Sequence, residues 1–324
     1  MNSGGQYDMM IHIGMFHPEQ ESASTSVRLQ SQSEGLDSEK QLGKAELGKY
    51  AHEQHMPHWL VSLLHSGGAV TNDGVISVIE QLLQQSRSTE YAYLCHPAVQ
   101  HVSKLKKEGG FCGYRNIQML VSYINGANAY GKNRFHGRLP TIFEIQEQIE
   151  IAWDKGINAQ GRLETGGIKG TRKYIGTPEA QALFVSHEIP CTAQGFKDQE
   201  PGKSEAKMLM AVETYFKQGR YSQPSKVTCT TLPPIYFQHA GHSLTIVGFE
   251  KQKNGLLNLL VFDPMFRDPP ALARLIGQTF KHKSAVADDS LKPYRRGPKY
   301  LCRYSEFEIL RLDVSPPAPS QSNK

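Results

Sequence analysis

The sequence is poor in cysteine, and its cysteines are not spaced as metal or disulfide ligands. Its 324 residues include five: Cys95, Cys112, Cys191, Cys229 and Cys302. The number is odd and no CxxC pair occurs, which argues against a structural zinc site and against the disulfide framework of a small secreted domain. We therefore expect no metal, no cofactor and a reducing compartment, the cytoplasm or the nucleus.

Long apolar runs and dense blocks of one charge are also missing. No stretch reaches the roughly 18 apolar residues that a membrane span needs. The opening residues, MNSGGQYDMMIHIGMF, lack the basic and apolar segments of a signal peptide. The net charge of +5 is spread thinly along the chain. Without a Lys/Arg block, neither a membrane nor nucleic acid is an expected partner.

Two terminal segments contain few residues that could build a core. Residues 1–40 are rich in Ser, Gln, Glu and Gly, and the tail 313–324 is dominated by SPPAPSQSNK. Segments of this kind cannot bury enough apolar surface to offset the entropy lost on ordering, so both are predicted to be disordered. A helical extension at 41–70 and a folded domain at 71–312 remain.

Apolar periodicity predicts helices in the first part of this region and strands in the second. Helices are predicted at 41–54, 57–66, 74–86, 112–125, 141–154, 178–188 and 204–218. Strands are predicted at 226–231, 244–250, 256–262, 298–304 and 306–312. Helices followed by strands are typical of an α+β domain, here with a mostly antiparallel central sheet.

Cys112 stands between a glycine-rich turn and an amphipathic helix, in the segment GGFCGYRNIQML. The backbone N–H groups at a helix start are unpaired and carry partial positive charge. This environment lowers the pKa of a thiol and favours the nucleophilic thiolate. Taken alone, the segment favours an inert buried cysteine at a helix start.

His242 directly precedes one predicted strand, and Asp263 ends the next. If the hairpin loop is the four residues 251–254, Ile246 faces Leu259 and His242 faces Asp263. Direct cross-strand neighbours are about 5 Å apart at Cβ, close enough for the carboxylate to hold the imidazole. The alternative is that Asp263, which precedes a proline, only ends the strand.

Together these residues have the chemistry of a thiol hydrolase. His242 can take the proton of Cys112 and later protonate the leaving amine, while Asp263 fixes the orientation of the ring. The backbone amide of Cys112 and the side chain of Gln238 are candidate donors to an oxyanion. His239 competes with His242 for the role of the base, and we favour His242 because it adjoins the strand.

Other cysteines and histidines have simpler interpretations. Cys191 and Cys229 lie in apolar, strand-like segments and are expected to be core thiols. Cys95, His96 and His101 are close in sequence, but no convincing fourth ligand accompanies them, so we do not predict a metal site there.

Three motifs in series, CGYRNIQML, PPIYFQHAGHS and FDP, resemble the peptidase family specific for ubiquitin-fold modifier, and within it the zinc-finger-containing ubiquitin peptidase branch. The resemblance spans about residues 74–312, without the zinc fingers. It implies a papain-like α+β fold and thiol isopeptidase activity. It also implies that Cys112 is the nucleophile, His242 the base and Asp263 the orienting acid, with Gln238 at the oxyanion.

The resemblance further implies four substrate-binding residues. Glu179, in YIGTPE, matches an acidic residue that contacts arginines near the modifier's tail, and ubiquitin ends in LRLRGG; Glu179 can equally be a helix-start acid. Asn158 stands where the ubiquitin branch has a second acidic contact. Phe111 precedes the nucleophile, where tryptophan is more usual, and Tyr114 follows it.

These features predict a deubiquitinase that acts on ubiquitin or polyubiquitin conjugates. A peptidase for ubiquitin-fold modifier is the nearest alternative, and an inactive ubiquitin-binding module is an alternative of another class. The helical extension at 41–70 carries an apolar stripe of Trp59, Leu60, Leu63 and Leu64. We expect this stripe to pack on the domain, with contact to ubiquitin as the alternative. The oligomeric state is not predicted.

Overall fold

The computed structural model describes residues 50–219 and 225–313. The predicted disordered leader 1–40, the first nine residues of the helix predicted at 41–54, and all of the predicted tail beyond Asp313 lie outside these residues. Residues 50–54 form a turn, in which Glu53 N donates to Tyr50 O, rather than a helix.

Helices are found throughout the described residues. They are α1 (His58–Gly67), α2 (Val75–Gln85), α3 (Cys112–Gly126), α4 (Ile142–Asp154), α5 (Gln160–Thr165), α6 (Thr177–Ser186), α7 (Lys203–Gln218), α8 (Pro270–Ala273), α9 (Ser284–Leu291) and α10 (Pro298–Leu301). The helices predicted from 57 to 218 correspond to α1, α2, α3, α4, α6 and α7. No helix of the described ranges combines the length and the apolar character needed to cross a membrane.

Most strands of the described residues join one sheet. The strands are β1 (Val70–Asn72), β2 (Thr89–Leu94), β3 (His101–Ser103), β4 (Cys191–Lys197), β5 (Val227–Cys229), β6 (Ile235–His239), β7 (His242–Gln252), β8 (Leu257–Phe262), β9 (Arg295–Arg296) and β10 (Glu306–Leu312). The main sheet has the order β4-β10-β6-β7-β2-β5, with β8 also paired to β7 and β9 to β8, while β1 and β3 form a separate pair.

The α+β class is as predicted, and the sheet predicted as mostly antiparallel is a mixed sheet, with one parallel pairing among its antiparallel ones. β2 and β5 pair in parallel, while the other described pairings are antiparallel. The parallel pair arises because β2, which was not predicted as a strand, lies between β7 and β5. A parallel pairing needs a long connection between its strands, so a local sequence pattern does not predict it.

One predicted strand is wrong. Most of the segment 298–304 is the short helix α10, which has Pro298 in its first turn. A proline at this position has a φ angle already suited to the helix and lacks only an N–H that would be unpaired anyway. Six strands were not predicted: β1, β2, β3, β4, β6 and β9.

Helix α3 runs through the core and packs on β7. The four apolar residues that predicted it, Ile117, Leu120, Val121 and Ile124, are all fully buried. Thr245 of β7 donates from Oγ1 to Asn116 Oδ1 of α3 at 2.8 Å. This packing brings the first turn of α3, with Cys112, toward the beginning of β7, where His242 lies.

The apolar stripe of α1 packs only in part. Leu60 and Leu64 are buried in the hydrophobic core and Leu63 packs against it. Trp59 is 49% exposed. The packing that we predicted therefore holds for the leucines of the stripe, and the alternative, contact with ubiquitin, stays a prediction.

Candidate active site

Helix α3 holds Cys112 in its first turn. Cys112 follows the N-cap residue Phe111, and no side chain caps this end, so the first N–H groups have no partner within the helix. These amides and the helix dipole favour a thiolate at this position. Gly110 permits the close packing of the preceding loop, because a Cβ there would lie 2.0 Å from the ring of Tyr174.

A buried ion pair fixes the loop that leads to Cys112. Arg115 donates from Nε to Glu108 Oε1 (3.1 Å) and from Nη2 to Glu108 Oε2 (2.7 Å), and both side chains are inaccessible to solvent. Glu108 Oε2 also accepts from the backbone N of Leu105 at 2.8 Å. A bidentate pair sets the orientation of both partners, so the loop is tied to the beginning of α3.

His242 and Asp263 are joined through their side chains. His242 Nε2 lies 2.9 Å from Asp263 Oδ1, which also accepts from Met265 N at 2.9 Å. The other oxygen of Asp263, Oδ2, accepts from Arg296 Nη2 at 2.7 Å. A carboxylate only accepts hydrogen bonds, so Nε2 carries a hydrogen and Nδ1 is the nitrogen left to face Cys112.

The predicted register of the hairpin is wrong, although the contact that it was meant to explain exists. Ile246 faces Val261 rather than Leu259, and a bulge interrupts the ladder between Ile246 and Gly248. Extending this register places Asp263 opposite Leu244. His242 and Asp263 are therefore diagonal neighbours on one face, a separation that longer side chains can span.

The pKa values of Cys112, His242 and Asp263 are each shifted in the direction that favours the charged form. Burial would raise the pKa of Cys112, but the hydrogen bond and charge of His242, helped by Ser243, lower it to about 7. Burial would lower the pKa of His242, but its bonds to Asp263 and Cys112 raise it to about 9. Despite burial, His242 and Arg296 hold the pKa of Asp263 well below its usual range. Between about pH 7 and pH 9, these shifts favour a thiolate–imidazolium pair of Cys112 and His242.

The two predicted oxyanion donors lie on elements that meet near the thiol. Gln238 of β6 is paired with Ser243 of β7, which follows His242 and helps to lower the pKa of Cys112. The carboxamide oxygen of Gln238 lies 3.5 Å from the Tyr236 hydroxyl, so its NH₂ group is left to donate. That NH₂ and the Cys112 amide are the candidate donors to an oxyanion.

The other candidate base, His239, is engaged elsewhere. Its ring is stacked on Tyr304 with centroids 3.7 Å apart, and its Nε2 lies 2.6 Å from the Tyr300 hydroxyl. Burial, opposed by a hydrogen bond to Ala240, lowers the pKa of His239 to about 4. A histidine with so low a pKa is a weak base, so this placement favours His242.

Residues 88–310 match the description "Peptidase family C78". The chain belongs to this family of cysteine peptidases. The chain is 32% identical to the zinc finger-containing ubiquitin peptidase 1 of Bos taurus over 249 residues, 76% of this chain and 42% of that protein. The protein of the same name from Homo sapiens is 30% identical with the same coverage. The matched part of the chain thus covers less than half the length of these relatives.

Two further comparisons match different shares of this chain. The C78 chain is 30% identical to ubiquitin carboxyl-terminal hydrolase mug105 of Schizosaccharomyces pombe over 158 residues, 48% of this chain and 60% of that protein. The crystal structure of UfSP from C. elegans aligns with 14% identity and a TM-score of 0.45, covering 80% of this chain and 41% of that chain. A likeness this weak carries no argument about fold or function.

Glu179 and Asn158 each bond to the backbone at the beginning of α6. Glu179 Oε2 accepts from Gly176 N at 2.7 Å, closing the start of the helix. Burial raises the pKa of Glu179 to about 7. Asn158 is exposed and donates from Nδ2 to Pro178 O at 2.9 Å. The helix-start role of Glu179 is therefore present, and the arginine contact stays a prediction.

Phe111 and Tyr114 of the C78 chain are not placed at an accessible surface. Both rings are fully buried and pack edge to face, with centroids 5.2 Å apart. The Tyr114 hydroxyl donates to Lys173 O at 3.2 Å. Phe111 and Tyr114 are therefore core residues that pack at the start of α3. Neither side chain is exposed to a substrate.

Glu308 is a site residue that the sequence did not reveal. It lies on β10 opposite Gln238, and Gln238 is in turn opposite Ser243, so these side chains share one face of the sheet near Cys112. Burial raises the pKa of Glu308 to about 7, and the nearby Glu179 adds to the rise. Its Oε2 is buried without a hydrogen-bond partner among the described residues. No local motif marks Glu308, because strand pairing alone brings it there.

Proposed function

We propose that this chain is a deubiquitinase, which hydrolyses isopeptide bonds in ubiquitin or polyubiquitin conjugates through Cys112, His242 and Asp263. The observation that carries the proposal is the position of His242. It is hydrogen-bonded to Asp263 at 2.9 Å and coupled to Cys112, whose pKa falls to about 7. A thiol activated in this way is a nucleophile at neutral pH.

In the proposed mechanism, the Cys112 thiolate attacks the carbonyl carbon at the modifier's C-terminal glycine. The carbonyl oxygen becomes an oxyanion, which accepts from the Cys112 amide and the Gln238 side chain. His242 donates its Nδ1 proton to the leaving lysine amine as the C–N bond breaks, which leaves a thioester on Cys112. His242 then takes a proton from water, and the hydroxide released hydrolyses the thioester and restores the thiolate.

We propose a papain-like arrangement of these groups, with the thiol on a central helix and the base and acid on the sheet that it faces. The order Cys112, His242, Asp263 along the chain and the packing of α3 on β7 support this proposal. A catalytic triad is recognised by the geometry and roles of its residues and not by their spacing in the sequence.

Acidic groups near the site support ubiquitin as the modifier. Glu179 and Glu308 both have pKa values raised to about 7, which means that neither is stabilised by a cation in the free protein. An arginine from a tail such as LRLRGG would supply that cation. The names of the relatives, which refer to ubiquitin, agree with this proposal.

Probes that carry a C-terminal electrophile test the proposal directly. The purified chain is incubated with a ubiquitin probe and with a matched probe made from ubiquitin-fold modifier, and Cys112→Ala serves as the control. Labelling of the wild type by the ubiquitin probe, and its loss in Cys112→Ala, is expected. Labelling by the other probe alone would favour a peptidase for ubiquitin-fold modifier. Binding of ubiquitin without labelling or turnover would favour an inactive binding module.

A further inference from the structure

A second histidine–aspartate pair lies directly behind Asp263. His101 of β3 is completely buried, and its Nδ1 lies 2.9 Å from both carboxylate oxygens of Asp268. Asp268 also accepts from Tyr294 Oη and from Asn72 Nδ2 (2.7 Å). The other ring nitrogen of His101, Nε2, lies 3.1 Å from the backbone oxygen of Asp263. His101 therefore connects an anchored carboxylate to the main chain of the triad acid.

Geometry fixes the hydrogens on this ring. A backbone oxygen can only accept, so Nε2 carries a hydrogen that it donates to Asp263. The hydrogen bonds around Asp268 lower the pKa of that carboxyl despite its burial, so Asp268 is ionised and Nδ1 donates to it. His101 thus holds Asp268 on one side and the main chain of Asp263 on the other.

The chain around Asp263 depends on this support because β8 ends at Phe262. The residues that follow are irregular and are tied to the end of β3 instead. Lys104 N donates to Pro264 O at 2.8 Å, and Ser103 Oγ donates to Phe266 O at 2.8 Å. The backbone oxygen of Asp263 also accepts from Phe266 N, within the loop, at 2.9 Å. Among the ties to β3, the bond from His101 is the one made to Asp263 itself.

Two aromatic rings prevent the imidazole of His101 from turning. Phe262 stacks on it with a centroid distance of 4.7 Å and an interplanar angle of 19°, and Phe266 lies at 6.2 Å and 20°. These phenylalanines flank Asp263 in sequence, one residue before it and three after it. Stacking and hydrogen bonding therefore select one orientation of His101.

We propose that His101, held by Asp268, is a positioning residue for the thiol chemistry, which fixes the backbone of Asp263 so that its carboxylate meets His242. The inference rests on the proposed function of the triad. It predicts that loss of the His101 bond moves Asp263 and weakens its hold on His242. The pKa of the Cys112 thiol should then rise toward that of a free thiol, although His101 does not contact Cys112.

Two amide substitutions test the two ring nitrogens of His101 separately. The side-chain nitrogen of His101→Gln can take the place of Nε2 and still donate to Asp263, whereas that of His101→Asn can reach only the Nδ1 position near Asp268. Ser103→Ala is the matched control, because it removes a bond to the same loop without touching Asp263. In each full-length variant, alkylation of Cys112 by iodoacetamide is followed from pH 5 to 10 by mass spectrometry of the Cys112 peptide, which avoids interference from other thiols.

We expect the wild type and Ser103→Ala to react with a midpoint well below that of a free thiol. His101→Asn should shift the midpoint to higher pH and lower kcat for a fluorogenic ubiquitin substrate by about 10²-fold, the scale of a misplaced catalytic group, with KM little changed. His101→Gln should recover most of both. Thermal unfolding of each variant shows which are folded, and Asp268→Asn provides a second route if His101→Asn is not.

The outcomes distinguish this inference from the proposed function. If folded His101→Asn or Asp268→Asn keeps the wild-type midpoint and kcat, the positioning role is wrong and the triad stands. If Ser103→Ala falls as far as His101→Asn, the loop needs general support and His101 has no special role. If the wild type itself shows the midpoint of a free thiol, the proposed triad fails first.

Discussion

His242 Nε2 lies 2.9 Å from Asp263 Oδ1, although these two residues are not partners in the β7–β8 ladder. The bulge between Ile246 and Gly248 shifts the register, and the side chains meet diagonally. The contact therefore depends on where the chain leaves β8 and on the groups that hold Asp263, among them Arg296 and His101. Side chains bonded to Asp263, more than the pairing of β7 with β8, therefore hold it in place.

Replacement of the two ends of the triad should give losses of different size. Cys112→Ala removes the nucleophile, and we expect cleavage of a fluorogenic ubiquitin substrate to fall by about 10⁶-fold, to background. Asp263→Asn leaves the nucleophile but loses the orienting charge, and the loss should be smaller, about 10⁴-fold. Cys302→Ser, at an exposed cysteine, is the control and should behave as the wild type. Equal losses in folded Cys112→Ala and Asp263→Asn would contradict this ranking.

The pH dependence of kcat/KM should be bell-shaped. The rate should rise as pH increases through about 7, where Cys112 loses its proton, and fall above about 9, where His242 loses the proton it must donate. Asp263→Asn removes a bond that raises the pKa of His242, so its descending limb should move to lower pH. Circular dichroism over the same range checks that the fold persists. An ascending limb near the value of an unperturbed thiol would contradict the coupled pair.

Arg296 should support the triad through the second oxygen of Asp263. Its Nη2 lies 2.7 Å from Asp263 Oδ2, so Arg296→Gln should weaken the carboxylate's hold on His242. We expect kcat to fall roughly tenfold, equivalent to about 1.4 kcal/mol. Arg303→Gln is a matched control, because Arg303 also lies over the ring of Tyr300 but is not bonded to Asp263. A similar loss in both variants would point to the aromatic contact instead.

Glu308 should matter for substrate binding rather than for chemistry. If its buried carboxyl receives a tail arginine, Glu308→Gln should raise KM for ubiquitin substrates about tenfold and leave kcat nearly unchanged. Glu306→Gln is the control, because Glu306 is already paired with Lys197 at 3.1 Å. Combining Glu308→Gln with a ubiquitin whose tail arginines are replaced by alanine should add little further loss. Full additivity would show that Glu308 and those arginines do not interact.

The buried carboxyl of Glu179 should make the protein less stable as pH rises. Its pKa of about 7 in the folded chain lies above the model-peptide value of 4.5, so the folded state binds more protons between these values. Stability is therefore full below about pH 4.5 and declines as pH rises through 7, by up to about 3 kcal/mol.

Glu179→Gln keeps an oxygen that can accept from Gly176 N and removes the charge. We expect it to be more stable than the wild type at pH 8 in urea unfolding, and similar at pH 5. Glu306→Gln, at a surface ion pair, should show no such pH-dependent difference. A Glu179→Gln variant that is less stable at pH 8 would mean that the ionised carboxylate already has a partner in the folded chain.

Local sequence determined most helices and the nature of the candidate residues. Caps, glycines and the 3–4 spacing of apolar residues act over one or two turns, which is why α3 and α4 could be predicted close to their bounds. The residue types at Cys112, His242 and Asp263 indicated a thiol hydrolase because that chemistry needs a nucleophile, a base and an orienting acid. The same reasoning failed at 298–304, where a proline in the first turn outweighed the apolar pattern.

Tertiary structure decided how these residues meet. The bulge in β7 set the register, and strand pairing across the sheet brought Glu308 beside Gln238, with no signal in either local segment. Arg296 and His101 both reach Asp263 although they lie far apart in the sequence. Burial raised the pKa of Glu179 and of Glu308 and sealed Phe111 in the core. Such effects depend on which surfaces are excluded from water together, and this is a property of the folded chain that short-range sequence patterns do not contain.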